Sequence, residues 1–529
     1  QCYGQENIRS IGEKSRFPHS YIVCPHQASV NQPVKLENMR DIIFTFFNYF
    51  VFFYTSMLAI FFVTFAFLSF ISLKRRKDYY VESYMRKTIK ESPYTPGISV
   101  IAPAFNEEKT IIDNVNSMLA LEYPLFEVVI VNDGSTDSTL KKMTEYYELV
   151  EVPYAYIERI KTRPFRRLLK SSNPKYSRLI VVDKENGGTK ADASNAGINV
   201  ASHPYFICTD VDCILEKYAL YRCISPIISS EKQVIAVSGT MLMANGCVVK
   251  DGQIIDVRTP RTPIPLFQNL EYMRSYLIGK MGWSAINGMP NVSGGFGLFD
   301  RSVAIAAGGY DAPSFAEDMD LITRMVGYMC DFSRPYKIVQ IPDTCCWTEG
   351  PPNLAMLYRQ RTRWARGLFQ TLNIHRKMIF KKTYKQMGLL TLPYMFVFEF
   401  LAPIIELVGL IVFIYLAFTG AVNWNTAWMI YLTIYTFCQF LSIVVITYDY
   451  YVGMLYKRGY EYLWIIIASI LEPIFYHPII TFCSLRGYLS YLTNRDFKWK
   501  NMERKGFKQK EESADGTDIT AMKPEPATI

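Results

Sequence analysis

Asp210 and Asp212 stand two residues apart at the end of a short apolar run, Tyr205-Phe206-Ile207-Cys208. At i and i+2 of an extended backbone their side chains fall on the same side. Two hard carboxylate oxygens converging in this way suit Mg²⁺ or Mn²⁺, ions that usually complete their shell with substrate phosphates. A lone Asp-x-Asp also occurs as a pair of solvated loop acids, so the other chemistry-bearing positions have to be weighed with it. Glu317 and Asp318 follow Phe315-Ala316 at an expected helix start. A carboxylate there serves either as an N-cap or as a general base. Gln360, Arg363 and Trp364 fall at i, i+3 and i+4 of an expected helix, on one face. Amide, guanidinium and indole together suit a diphosphate leaving group beside a sugar stacked on an aromatic ring. The same stretch also reads as an amphipathic helix laying its basic face on lipid headgroups.

Further polar groups follow other apolar runs. Pro103-Ala104-Phe105-Asn106-Glu107-Glu108 comes after the run at 98–102, and Asn132-Asp133-Gly134-Ser135-Thr136-Asp137 after 128–131. The second of these is also plain turn chemistry. Lys184-Glu185-Asn186-Gly187-Gly188-Thr189-Lys190 follows the run at 179–182. Its glycines let backbone approach a ligand closely, and Lys190 is placed to neutralise a phosphate. Ser293-Gly294-Gly295-Phe296-Gly297 is a second small-residue stretch that leaves room for a bulky ligand. No GxxxxGK[ST] loop and no strand-following GxGxxG is present, which argues against a P-loop NTPase and a dinucleotide oxidoreductase.

The elements that must hold these residues can be read from the same apolar runs. Those at 98–102, 128–131, 179–182, 205–208 and 234–237 are separated in several places by helix-like stretches such as 107–121 and 136–148. That alternation predicts a parallel sheet covered by helices on both faces. In such sheets the ligand lies beyond the carboxyl ends of the strands. A basic segment, Arg163, Arg166, Arg167, Lys170, Lys175 and Arg178, reads as a solvated loop or as a contact for lipid headgroups or an anionic product.

On either side of this region the chain turns apolar. Residues 42–73 are 32 positions without a charge, closed by Lys74-Arg75-Arg76-Lys77. That length spans a bilayer, and the basic cluster belongs on the cytoplasmic side. Residues 1–40 are then external, with Cys2 and Cys24 either paired or as two free thiols. Residues 407–448 carry no charge and break at Thr419-Gly420 and Asn423-Trp424-Asn425, giving two spans. The segment 462–483 contains Glu472, Pro473, His477 and Pro478 and reads as a weaker or broken span; 386–406, with Glu399 and Glu406, leads into the first of the pair or is part of it. Four spans would leave the basic stretch 486–510 outside; a re-entrant last segment removes that conflict. Residues 511–529 are polar and expected to be disordered.

Composition agrees. Of 529 residues, 50% are hydrophobic and 20% charged, with 34 Phe and 37 Tyr, a balance that leans toward a chain partly solvated by lipid. It excludes collagen-like, low-complexity and disulfide-scaffold classes. Eleven Cys without a CxxC pair give no support to a zinc ribbon or a thioredoxin. The net charge of +9 suits anionic lipid, nucleic acid or nucleotide phosphates.

Taken in order, the strand-end acids, the Asp-x-Asp, the Glu-Asp pair and QxxRW resemble the processive family-2 glycosyltransferases of membranes, the cellulose, hyaluronan, chitin and poly-N-acetylglucosamine synthases. The likeness covers about residues 95–370, with QxxRW its most specific element, and the flanking spans fit. It implies an α/β, GT-A-like, doubly wound sheet domain inserted between transmembrane helices. It implies a hexosyltransferase that polymerises a β-linked polysaccharide from a UDP-sugar with inversion and translocates it, the span count pointing to the poly-N-acetylglucosamine type. By this resemblance Pro103, Ala104, Asn106, Glu107 and Asp133 hold the uridine and Lys190 contacts the diphosphate. Asp210 and Asp212 hold Mg²⁺ or Mn²⁺. Asp318, beside Glu317, acts as base. Gln360 and Arg363 engage the diphosphate, and Trp364, with Ser293 and Gly294, meets the acceptor. One departure from many relatives is Ala316, where they carry threonine.

The expected organisation is an external segment 1–40, a transmembrane helix 41–73, a cytosolic catalytic domain 95–350, an interfacial region 351–385, a membrane region 386–486 of about three spans, and a tail 487–529. Partners are the UDP-sugar, the growing polysaccharide, membrane lipid and an accessory export subunit, with no nucleic acid. The expected place is the plasma (inner) membrane. Two rivals are a non-processive membrane transferase adding one sugar to a lipid, and a non-catalytic nucleotide-sugar-binding subunit of an export complex.

Overall fold

In the computed structural model, residues 32–79, 82–153, 155–211, 213–250 and 252–493 are described. Cys2, Cys24, Asp212 and the tail from 494 lie outside them. The chain divides into two units at Ala59 and Ile60. In the first, the described residues are helical.

The second unit is built on a ten-stranded sheet. Its strands are β1 (Ile98–Ala104), β2 (Phe126–Asp133), β3 (Leu149–Glu151), β4 (Phe165–Ser171), β5 (Leu179–Lys184), β6 (Tyr205–Thr209), β7 (Ile214–Leu215), β8 (Gln233–Met243), β11 (Phe296–Asp300) and β12 (Tyr336–Thr348). A separate hairpin joins β9 (Val248–Lys250) to β10 (Gln253–Asp256). The spatial order is β3-β4-β5-β2-β1-β6-β11-β8-β12-β7. All five apolar runs noted in the sequence are strands, and β1, β2, β5 and β6 pair in parallel as expected. Val128, Val129, Ile130 and Val131 are fully buried in succession, as in a sheet covered on both faces.

The sheet is mixed rather than wholly parallel, which corrects the expectation for its second half. β11 runs antiparallel to both β6 and β8. Its sequence, Phe296-Gly297-Leu298-Phe299-Asp300, is short and contains a glycine, so its strand character was hidden inside a stretch read only as space for a ligand. The basic segment is likewise not a loop throughout. Phe165–Ser171 is β4, antiparallel to β3 and β5. Leu168 and Leu169 are buried while Arg166 is exposed, and Arg167 Nε bonds Asp183 Oδ2 at 3.1 Å. Two exposed arginines before two buried leucines leave the strand without a continuous apolar run or a clean alternation.

Among the described residues, four helices are long and apolar enough to cross a membrane: Asn48–Arg75, Met387–Phe418, Trp424–Val452 and Gly459–Thr493. The last is one continuous helix of 35 residues in spite of Pro473 and Pro478, so it is not broken as its sequence suggested. Residues 387–401, read as either interfacial or part of the span, run into it through π-helical turns. From Ile60 on, the first long helix packs on the rest of the second unit: Phe65 meets Trp283 at 4.6 Å between ring centroids, and Ser69 Oγ donates to the Ile278 carbonyl at 2.9 Å.

Candidate active site

Strand β6 ends at Thr209, which delivers Asp210 to the sheet edge. Helix Lys190–Val200 starts there too, capped by Thr189, whose hydroxyl accepts from Asp192 N. Lys190 is its first residue. The ammonium donates to the Gly294 carbonyl at 2.7 Å and pairs with Asp210 Oδ1 at 2.6 Å, with Glu317 Oε1 at 3.9 Å. Its side chain is only 12% exposed. Burial by itself favours the neutral amine, but the Asp210 and Glu317 carboxylates outweigh it and hold the pKa of Lys190 well above that of an ordinary lysine.

The Gly294 amide then donates to Asp318 Oδ2 at 3.0 Å. Asp318 Oδ1 accepts from Met319 N at 2.9 Å, and the residue at the helix cap is Ala316. Asp318 is therefore not the N-cap residue, although its carboxylate takes up one amide of the first turn. Gly294 and Gly295 form the floor between the acids. A Cβ on Gly294 would lie 3.7 Å from the Asp318 carboxylate, and one on Gly295 would lie 3.5 Å from Asp210 Oδ2 and 2.8 Å from the Met241 methyl. Ser293 Oγ is 3.0 Å from Met241 Sδ. Four segments far apart in sequence are thus tied into one polar cluster.

Glu317 sits inside that cluster. Burial pushes its carboxyl up to about 6, with Lys190 and Arg363 pulling it down and Asp318 and Asp210 pushing it further up. The folded chain therefore binds this proton more tightly than the unfolded chain does. The contribution to stability is present below the ordinary 4.5 and is lost as pH rises through about 6. Ionised Glu317 balances Lys190 and Arg363, so the rate of catalysis is expected to fall on the acid side with a midpoint near 6. In Glu317→Gln that limb should disappear from the pH–rate profile, and its persistence would assign it to another group.

At the ends of β1 and β2 lies a second cluster. Asn106 has φ +59°, a left-handed conformation that costs a non-glycine residue energy. It is held there because its Oδ1 accepts from Thr136 N at 2.8 Å and its own N donates to Ser135 Oγ at 3.1 Å. Glu107 N donates to Thr139 Oγ1 at 2.9 Å. The loop 103–108 and the loop 133–139 are thereby locked to each other, with Pro103 and Ala104 in register with Val131 and Asn132. Asp133 Oδ1 accepts from Gly187 N at 3.0 Å and from Lys184 Nζ at 2.7 Å. Lys184 Nζ also bonds Asp192 Oδ2 at 2.5 Å. Sequence reasoning assigned nothing to Lys184. It is fully buried, and it joins the Asp133 cluster to the helix that begins with Lys190. The signal in the sequence was a lysine that, with Asp183, closes an apolar run.

Helix Leu354–Ile374 carries QxxRW. It lies so close to the start of the Glu317 helix that a Cβ on Gly367 would come within 2.5 Å of Ala316 Cβ. The Phe315 amide donates to Gln370 Oε1 at 2.8 Å, and the Arg366 guanidinium lies 4.1 Å over the Phe315 ring. This packing brings the charge of Arg363 to bear on Glu317. Gln360 Oε1 accepts from Gln268 Nε2 at 3.1 Å, and Trp364 is 36% exposed. The structure thus brings Lys190, Asp210, Gly294, Glu317, Asp318 and Arg363 together, with Gln360 turned toward the helix Pro263–Arg274. Lys280 also went unread in the sequence. It ends a π-helical stretch, Ser275–Lys280, of the kind that often marks functional sites. Its ammonium is buried 4.5 Å over the Tyr276 ring, and burial pulls it down to about 8, with Asp318 opposing.

Among the described residues no three His, Cys, Asp or Glu side chains gather as a metal site. Asp212 is not among them. The donor chemistry at Asp210 nevertheless fits a hard divalent ion: a carboxylate 34% exposed at the sheet edge, beside a floor of two glycines, with the substrate's phosphates left to supply the remaining oxygens.

Two family models match, glycosyl transferase family 2 at residues 99–241 and glycosyl transferase family group 2 at 261–476. Together they run over more than half of the chain. The poly-beta-1,6-N-acetyl-D-glucosamine synthase of Staphylococcus aureus (strain COL) is 29% identical over 278 residues, covering 52% of this chain and 55% of that protein. The enzyme of the same name from Staphylococcus epidermidis is 28% identical over 282 residues, covering 53% and 57%. The chain thus spans about half the length of the curated relatives it matches. Among solved structures, a mannosyltransferase from Pyrobaculum calidifontis in complex with GDP-Man and Mn²⁺ matches at a TM-score of 0.44, with 18% identity over 79% of this chain and 98% of that one. A fragment of S. aureus TarS in complex with UDP-GlcNAc matches at 0.32, with 17% identity over 55% and 72%.

Proposed function

We propose, from the premise that the chain belongs to family 2 of the glycosyltransferases, that it extends a β-linked polysaccharide of the poly-N-acetylglucosamine type from a UDP-sugar, with inversion at the anomeric carbon. The observation that carries this reading is the junction at Lys190. One ammonium ties Asp210 to the Gly294 loop, and that loop in turn holds the Asp318 carboxylate. A group for the diphosphate and a base for the acceptor are thereby set side by side.

In this reading the uridine lies along the locked loops 103–107 and Asp133, which the left-handed Asn106 and buried Lys184 keep in shape. Lys190 has two of its three N–H donors engaged by Gly294 and Asp210 and offers the third to the diphosphate. Asp210 with Asp212 would hold Mg²⁺ or Mn²⁺, which supplies positive charge to the diphosphate oxygens. The acceptor hydroxyl, stacked with its sugar on Trp364, attacks the anomeric carbon from the face opposite the leaving group. Its proton passes to Asp318, the new glycosidic C–O bond forms, and the bond to the diphosphate breaks. In this reading Arg363, whose charge reaches Glu317, meets the departing UDP, where a fixed positive group stabilises the developing charge, and Gln360 would have to leave Gln268 to join it.

Residues 95–350 form the catalytic part of this reading, 351–385 its interfacial edge and 386–486 the passage for the polymer. The basic cluster after the first span supports a cytosolic catalytic face at the plasma (inner) membrane. Membrane lipid and an accessory export subunit complete the partners.

Product analysis tests the proposal. Membranes carrying the full chain are given UDP-N-acetylglucosamine, UDP-glucose and UDP-glucuronate with Mg²⁺ or Mn²⁺. A long polymer from the N-acetylglucosamine donor is the expected result. A single sugar on an extractable lipid would replace processive synthesis by single transfer, and UDP binding without transfer would point to a binding subunit.

A further inference from the structure

Arg361 lies inside the QxxRW motif, between its glutamine and its arginine, and the proposed chemistry leaves it without a task. It is 5% exposed, deeper than any of the three motif residues. Its two terminal nitrogens form a bidentate pair with Glu271, Nη1 to Oε1 at 2.6 Å and Nη2 to Oε2 at 2.5 Å. Nη2 also donates to Tyr476 Oη at 2.9 Å, and that hydroxyl donates onward to Glu271 Oε2 at 3.0 Å. The other side of the guanidinium is 4.4 Å from the centre of the Trp364 ring. Glu271 comes from the helix Pro263–Arg274 and Tyr476 from the last membrane-length helix, Gly459–Thr493.

The last helix is also pressed against the QxxRW helix further along, at Gly487. A Cβ on Gly487 would lie 2.6 Å from Ala365 Cβ and 2.8 Å from the Thr362 carbonyl. Four residues before Tyr476, Glu472 pairs with Arg274 at 2.5 Å. The two helices that grip Arg361 are therefore joined to each other beside it by Arg274 and Glu472, and the last helix separately touches the QxxRW helix at Gly487.

A guanidinium is planar and rigid, and a bidentate carboxylate fixes the orientation of that plane. An indole stacked on it inherits the orientation. We infer that Arg361, Glu271 and Tyr476 are positioning residues that let the last membrane-length helix set the ring plane of Trp364, and so the binding of the acceptor sugar. This rests on the proposed function, since it needs Trp364 to be the acceptor platform. A movement of that helix against the other two would tilt the platform, which links the membrane part to acceptor binding without any contact to the donor.

The test uses the full chain in detergent, with a β-linked N-acetylglucosamine tetramer as acceptor and UDP-N-acetylglucosamine as donor. Tyr476→Phe removes one oxygen and keeps the ring that packs 5.4 Å from Phe267. Loss of one charge-assisted hydrogen bond should raise the acceptor KM about tenfold, with donor KM and donor hydrolysis in the absence of acceptor within about twofold. Glu271→Gln, which keeps the volume and removes the charge, should move the acceptor KM in the same direction. An unchanged acceptor KM in both variants overturns the inference. So does a parallel loss of donor and acceptor binding, which is what a purely structural tie would give. Failure of the parent chain to transfer at all would instead count against the functional reading.

Discussion

Asp318→Asn is expected to lower sugar transfer by about 10²–10⁴-fold, the range over which a positioned general base contributes, while UDP binding stays nearly intact. The asparagine keeps the shape of the side chain and still presents an oxygen to the Gly294 amide, which bonds Asp318 Oδ2 at 3.0 Å in the parent chain. What it lacks is the ability to take a proton from the acceptor hydroxyl. Each tenfold of that loss corresponds to about 1.4 kcal/mol of barrier. Radiolabelled donor turnover and UDP titration on the same preparation separate the two quantities. A variant that keeps substantial transfer removes Asp318 from the role of base. Loss of UDP binding in step with transfer would mean that the Gly294 loop had collapsed. Asp318→Ala would then be the harsher comparison, since it gives Gly294 no oxygen at all.

Lys190→Met should have the second largest effect, and on a different quantity. The methionine fills a similar volume but removes the cation that joins Asp210, Gly294 and Glu317. Breaking a buried pair by taking one partner leaves the other charge uncompensated, at about 3–5 kcal/mol. Asp210 is a third exposed, so the lower end, about 3 kcal/mol, is expected. Donor affinity should fall by about 10²-fold, because both the diphosphate contact and the shape of the Asp210 loop depend on this ammonium. Lys190→Arg is not expected to rescue it. The compact ammonium accepts close partners from several directions at the end of a buried stem, whereas a planar fork needs space in one plane. Thermal unfolding and donor titration check the two parts separately. A stable Lys190→Met chain with unchanged donor affinity would remove Lys190 from the donor site.

Much of this was readable before any coordinates. The parallel strands β1, β2, β5 and β6 announced themselves because a strand covered on both faces must be apolar along its length, and few other elements have that pattern. The polar residues after them could be found because a parallel sheet puts the carboxyl ends of its strands at one edge. Charge-free stretches long enough to cross a bilayer are equally direct. The strands that were missed lack these signals. β4 opens with two exposed arginines and so has no continuous apolar run, and β11 is five residues long with a glycine inside. Pro473 and Pro478 suggested a broken final helix, yet it stays continuous across both.

The sequence by itself determined the kinds of groups available and the edge at which they gather, because residue type, hydrophobic period and strand order are local properties. Tertiary structure alone decided what each group touches. Lys190 reaches Gly294 across 104 positions of chain, Arg361 reaches Tyr476 across 115, and Lys184 reaches Asp133 across 51. Such pairs leave no periodic trace, since their separation is set by loop lengths and by how helices pack on the sheet. For the same reason the partner of Asp318 Oδ2, a backbone amide from a loop 24 residues earlier, is contained in no local reading of the helix start.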